Sequence, residues 1–215
     1  MVVLITGGAG YIGTALCEQL KKDESIERVI VYDNLSRHNF NLFIGLHKLD
    51  KRFEFMEGDI LDSRNLRKAV KQADVVYHLA AKVTTPFADQ DAHLFEQVNH
   101  WGTAEVTYAV EESDVQRLIY LSSVSVYGSG DSERNLDSDL NPKTFYGISK
   151  MRGENHVSRL SPKIETHIIR CGNVYGYNRS MRFDAVINKF LFEANFHGKI
   201  NIHGNGEQHR PFVFV

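Results

Sequence analysis

Only two cysteines, Cys17 and Cys171, occur in the 215 residues, and both lie among apolar neighbours. A disulfide framework is excluded, and buried free thiols are expected. No charge of one sign dominates: 25 Lys and Arg face 27 Asp and Glu, a net charge of −2. Without a basic stripe, nucleic acid is not an expected partner. No run approaches the ~18 apolar residues of a membrane span. The apolar run at Val2 is short and lacks the basic flank of a signal peptide. The expectation is a cytoplasmic chain with no membrane partner. Repeats and low-complexity tracts are absent as well. His197, His203 and His209 recur every six residues. No H-E-x-x-H spacing accompanies them, so no metal site is expected.

What remains is a chain that is 42% hydrophobic, enough for a buried sheet. Its length suits one domain, or one and a fraction. Apolar runs alternate with amphipathic ones. Strands are expected at 2–5, 28–32, 53–56, 74–79, 118–121 and 166–169. Helices are expected after Gly10, after an Asp62 or Ser63 cap, over 93–113 and over 146–160. That alternation predicts an α/β fold: a Rossmann-like, doubly wound parallel sheet with ligands at the strands' C-terminal ends.

The first strand runs into Thr6-Gly7-Gly8-Ala9-Gly10-Tyr11-Ile12-Gly13. Gly7, Gly10 and Gly13 let the backbone turn sharply and approach a pyrophosphate with no Cβ between. The following helix presents free N–H groups and its positive dipole end to the phosphates. The second apolar strand ends in Asp33, 20 positions after Gly13. That offset places a carboxylate on the adenosine ribose hydroxyls, where it repels a 2′-phosphate. The expected cofactor is NAD rather than NADP, with Arg37 close enough to soften the exclusion.

A second constellation lies further on. Tyr146 and Lys150 are four apart, on one helix face, downstream of Leu121-Ser122-Ser123. A phenol of ordinary pKa ~10 is a poor base at neutral pH. The Lys150 ammonium is expected to lower it. Tyr146 then takes a proton from a substrate hydroxyl, which Ser123 orients, while NAD takes the hydride from the same carbon.

These segments together resemble the extended short-chain dehydrogenase/reductase family, the NAD-dependent nucleotide-sugar epimerases and dehydratases. The resemblance spans the whole chain. Asp33-Asn34 sits in a segment similar to the ribose-binding part of UDP-glucose 4-epimerases. The resemblance implies that Asp59 and Ile60 meet adenine, and that Leu79, Ala80 and Ala81 pack along the cofactor. Asn99 matches an asparagine that steadies the central helix, grouped here with the cofactor residues Tyr11, Ile12, Tyr146 and Lys150. Arg170-Cys171-Gly172-Asn173-Val174-Tyr175-Gly176 implies that Asn173 reaches the sugar nucleotide. The segment 204–210 implies that Arg210 reaches its phosphates. The implied ligand is a nucleotide sugar, UDP-linked, and relatives pair as homodimers through helices such as 93–113 and 146–160.

Two departures narrow the chemistry. Dehydratases of the family carry an Asp-Glu pair where Val124 and Ser125 stand, so epimerisation at C4 is favoured over elimination. A ketoreductase or oxidoreductase of the family, or a non-catalytic NAD-binding module, remains open. Lys82 stands where the family often has an uncharged polar residue; it touches a phosphate or is merely solvated. The expected division is a cofactor domain over 1–176 and a partial substrate domain over 177–215, C-terminally truncated. The acidic stretch 131–139 is read as a solvated loop.

Overall fold

The computed structural model describes residues 1–44, 50–83, 91–130, 133–202 and 204–215. His203 and residues 131–132 of the acidic stretch lie outside them.

Six strands form one parallel sheet: β1 (Val2–Thr6), β2 (Arg28–Asp33), β3 (Phe53–Glu57), β4 (Val75–His78), β5 (Arg117–Ser123) and β6 (Glu165–Cys171), in the order β3-β2-β1-β4-β5-β6. Strand β1 pairs with β2 from Val2↔Arg28 and with β4 from Val3↔Val75. Its side chains alternate between two closed faces. Leu4 joins Ile30, Val76 and Leu118 on one side, while Val3 and Ile5 join Val29, Val31 and Cys17 on the other. Strand order reverses between β1 and β4, which opens a crevice at their C-terminal ends.

Helix α1 (Tyr11–Leu20) follows β1; its first turn has no side-chain cap and no acidic residue. Two glycines make that turn possible. Gly7 has φ +73°, and a Cβ there would lie 2.5 Å from the Ala80 nitrogen. A Cβ on Gly13 would lie 2.5 Å from the Gly7 carbonyl oxygen. Helix α2 (Ser63–Val70) is capped by Asp62, which accepts the Asn65 N–H at 3.1 Å.

The segment expected as one helix over 93–113 is helical from Ala92 to Glu111, but not uniformly. It comprises α3 (Ala92–Phe95), a π-helical stretch (Glu96–Trp101) and α4 (Gly102–Glu111). Such π stretches are concentrated at functional sites. This one carries Asn99, which is fully buried. The Asn99 amide accepts the Lys82 N–H at 2.8 Å and donates to the Lys82 carbonyl at 3.0 Å and to Ser149 Oγ at 3.1 Å. The loop after β4 is thereby tied to α5 (Phe145–Ser158), whose own start is capped by Thr144.

The sequence reading assigns no element between Gly176 and Pro211. The structure places α6 (Val186–His197) there, and a parallel two-stranded ribbon joins β7 (Asn173–Tyr175) to β8 (Phe212–Phe214). Among the described residues no helix is long and apolar enough to cross a membrane.

Replacing Asn99 by Ala orphans the buried peptide groups of Lys82. Urea unfolding should show a loss of about 2–4 kcal/mol, as expected for unpaired buried donors and acceptors. A loss under about 0.5 kcal/mol, the scale of ordinary surface changes, would show that the clamp is not structural.

Candidate active site

The crevice at the strands' C-terminal ends opens into a cavity of about 900 Å³. Its floor is the turn after β1, with Gly7, Gly10, Tyr11, Ile12 and Gly13. Asp33 and Asn34 enter from the end of β2, Asp59 and Ile60 from the end of β3. Leu79, Ala80, Ala81 and Lys82 follow β4. Ser123, Tyr146 and Lys150 line it as well, together with Asn173 and Arg210. Of the residues expected to meet cofactor or substrate, Asn99 alone does not line the cavity. Its amide is spent on Lys82 and Ser149, so it acts on the wall from behind.

At one end the carboxylates are held in place by backbone. Asp33 accepts the Ala9 N–H at 3.0 Å and the Leu35 N–H at 2.8 Å. Burial pushes its carboxyl up, against the pull of those two bonds. Asp59 accepts Asn34 Nδ2 and the Leu61 N–H, each at 2.8 Å. Each carboxylate oxygen keeps a second lone pair for a ligand hydroxyl or amine.

At the other end Ser123, where β5 runs into the 3₁₀ turn Val124–Tyr127, accepts from the N–H and hydroxyl of Ser125 at 3.2 and 3.0 Å. Tyr146 lines the same cavity as Ser123. Burial holds the phenol above its ordinary value, against the pull of Ser123 and the Arg182 charge. Lys150 also lines the cavity. Its ammonium donates to the Leu121 carbonyl at 2.7 Å and lies 4.7 Å from the centre of the Tyr120 ring. Four residues along a helix put both side chains on one face, but the long lysine stem carries its nitrogen to β5. Burial brings that ammonium down to about 7, opposed by Glu154.

Groups that local sequence did not point to complete the site. His78 is fully buried between Thr6 Oγ1 (2.7 Å) and Thr103 Oγ1 (2.9 Å). Thr103 donates its proton to the Asn99 carbonyl. It must therefore accept from Nε2–H of His78, which leaves Nδ1 to accept from Thr6. Burial, and then the charge of Lys150, push the imidazole down to about 3. Arg182 reaches the cavity from the loop before α6, held by Asp184 through Nε–H···Oδ1 at 3.0 Å and a second bond from Nη2. Behind Ser123, the buried Glu154 accepts from Ser122 at 2.5 Å and from Arg170 Nη2 at 2.8 Å. Arg170 also donates to Tyr127 at 2.7 Å, locking β5, β6 and α5 together.

A cavity that runs from a glycine turn to a paired serine and tyrosine suits a dinucleotide beside a hydroxylated substrate. Comparison with known proteins agrees. The model of the NAD dependent epimerase/dehydratase family matches residues 3–215. The chain belongs to this family. Within the family it is 30% identical to the uncharacterized UDP-glucose epimerase YtcB of Bacillus subtilis (strain 168), across all of this chain and 69% of that one. It is 31% identical to the dTDP-D-glucose 4,6-dehydratase of Dictyostelium discoideum, and there it spans 99% of its own length but 52% of the relative's. The crystal structure of UDP-glucuronic acid 4-epimerase from Bacillus cereus, in complex with UDP-glucuronic acid and NAD, superposes with a TM-score of 0.88 at 28% identity, covering 100% of this chain and 69% of that one.

The residues present fit NAD, the family's cofactor. Gly7 and Gly13 let the turn close tightly on itself and on Ala80, the first turn of α1 offers its N–H groups uncapped, and Asp33 lines the cavity from the end of β2. Among the described residues no cluster of three His, Cys, Asp or Glu side chains is placed to hold a metal.

Burial of Lys150 has a pH signature. Its pKa of about 7 in the folded chain lies below the ordinary 10.5, so between those values the unfolded chain holds the extra proton. Stability then rises with pH across that window, by up to about 1.4 kcal/mol per pH unit, and is lost as the pH falls back toward 7. Cofactor-free chain followed by thermal unfolding from pH 7 to 10 should show the rise, and Lys150→Met should flatten it. A slope unchanged in Lys150→Met would refute the assignment.

Proposed function

We propose that the chain carries the catalytic machinery for NAD-dependent epimerisation of a UDP-linked sugar at C4. The observation that bears this reading is that Ser123 and Tyr146 line the same cavity as the glycine turn and Asp33. Ser123 orients the sugar hydroxyl. Tyr146, as phenolate, takes that hydroxyl's proton, and the O–H electrons close the C=O of a keto sugar. Bound NAD supplies the reversible hydride acceptor for that carbon. Once the keto sugar has turned, Tyr146 returns the proton to the new alkoxide. Burial holds the phenol above its ordinary value, and Ser123 and the Arg182 charge work against that rise. Lys150, fixed on the Leu121 carbonyl beside them, adds charge when protonated. Asn173 and Arg210 hold the nucleotide end.

Epimerisation is favoured over elimination by the two side chains after Ser123. Val124 has no proton to give, and the Ser125 hydroxyl is bonded to Ser123. Elimination of water needs a carboxyl acid and base at that point. The relatives include epimerases and dehydratases, and Val124 and Ser125 carry the distinction.

The test is turnover of UDP-sugars by the NAD-loaded chain, followed by proton NMR. The 4-epimer should form, and Tyr146→Phe should slow it by about 10²–10⁴-fold, the usual contribution of a general base, while NAD stays bound. Accumulation of a keto sugar, or turnover indifferent to Tyr146→Phe, would refute the reading.

A further inference from the structure

Asn188 stands in the first turn of α6 and is buried to 2% exposure. Three segments meet on its amide. The oxygen accepts the Gly176 N–H at 3.0 Å, where the chain leaves β7. The nitrogen donates to the Arg182 carbonyl at 2.9 Å and to the Tyr11 phenol at 3.4 Å. That phenol donates in turn to the Gly176 carbonyl at 2.5 Å. One buried amide therefore joins the end of β7, the loop that carries Arg182 and the glycine turn after β1.

Other side-chain bonds run the same way. Asn178 donates to the Tyr11 carbonyl at 2.9 Å, and the buried Thr14 donates to Ser180 at 2.7 Å. Glu18 pairs with Arg179. The loop 177–185 thus rests on the glycine turn and on α1 through side chains spread along it. The same loop reaches into the cavity, which Arg182 and Asp184 line together with Tyr11. The Arg182 charge acts on the Tyr11 and Tyr146 phenols, against the rise that burial gives each.

The Tyr11 hydroxyl is spent on Gly176 and Asn188, while the backbone around it forms the turn that fits a pyrophosphate. A ligand that fixes this turn fixes one half of the joint, and the Arg182 loop is the other half. Stabilising either half then favours the other, and the effect is reciprocal.

We infer that Asn188 is a positioning residue: it ties the Arg182 loop to the cofactor turn, so that binding of the dinucleotide and placement of Arg182 in the cavity reinforce one another.

The experiment is amide hydrogen exchange over residues 177–185, read by mass spectrometry on the full chain with and without NAD, beside calorimetric titration with NAD. In the wild-type chain NAD should slow exchange of the loop by about 5- to 150-fold, the usual range of coupling between sites. Asn188→Leu keeps the size of the side chain and removes its amide. It should speed exchange in the cofactor-free chain and weaken NAD by at least about fivefold. NAD should then slow the loop by less than about twofold, the scatter expected of independent sites. Tyr11→Phe removes a single oxygen from the other side of the joint and should lose part of the same coupling, which keeps the inference testable if Asn188→Leu does not fold. If NAD slowed the loop in Asn188→Leu as strongly as in the wild type, the dinucleotide would be touching the loop directly and the inference would fall. Faster exchange with unchanged NAD affinity would make Asn188 a purely structural residue and overturn it too. A wild-type loop indifferent to bound NAD would do the same.

Discussion

A parallel sheet closed on both faces has one place left for polar chemistry, the row of strand ends. Leu4 packs into one buried cluster on one side of β1, Val3 and Ile5 into another on the other side. The strand order then reverses between β1 and β4, so the loops after them part and leave a crevice. Every candidate functional group sits on that edge. The closeness of the edge matters as much as its position. The Gly7 turn lies so near the loop after β4 that a single Cβ would collide with Ala80. That loop is in turn clamped by Asn99 to the helix bearing Tyr146. Cofactor floor and reactive phenol are therefore parts of one rigid frame.

Electrostatics within the frame are costly. His78 is kept neutral by burial and by the charge of Lys150, which is held in the same low-polarity region. Buried titratable groups of this kind are tolerated where they serve a site. The Lys150 ammonium is steadied by the Leu121 carbonyl and the Tyr120 ring. Glu154 and Arg170 neutralise one another behind Ser123 and fix the strand that carries it.

Much of this was legible locally. The glycine turn, Asp33 at its offset, and the Tyr146 and Lys150 pair are patterns within a few residues of chain, and all of them line the cavity. What was not legible depends on distant contacts. Asn99 reads as a cofactor residue in sequence but faces Lys82 and Ser149 because a π-helical stretch turns it there. His78 is silent in sequence, since its two partners lie 72 and 25 positions away. The bond from the Lys150 ammonium to the Leu121 carbonyl, 29 positions away, is likewise invisible in helical spacing. Arg182 sits in a segment with no strand or helix signal, and only the folded loop before α6 brings it near Tyr146. Short strands such as β7 and β8, three residues each, are beyond any periodicity.

The central claim is that one carbon of a bound sugar loses and regains its hydrogen within a single closed site. The most direct test is a UDP-sugar deuterated at C4, converted by the NAD-loaded chain in ordinary water. The epimer is predicted to keep its deuterium at C4, because the same label leaves and returns without meeting solvent. Epimer that has lost the label to water would contradict the claim.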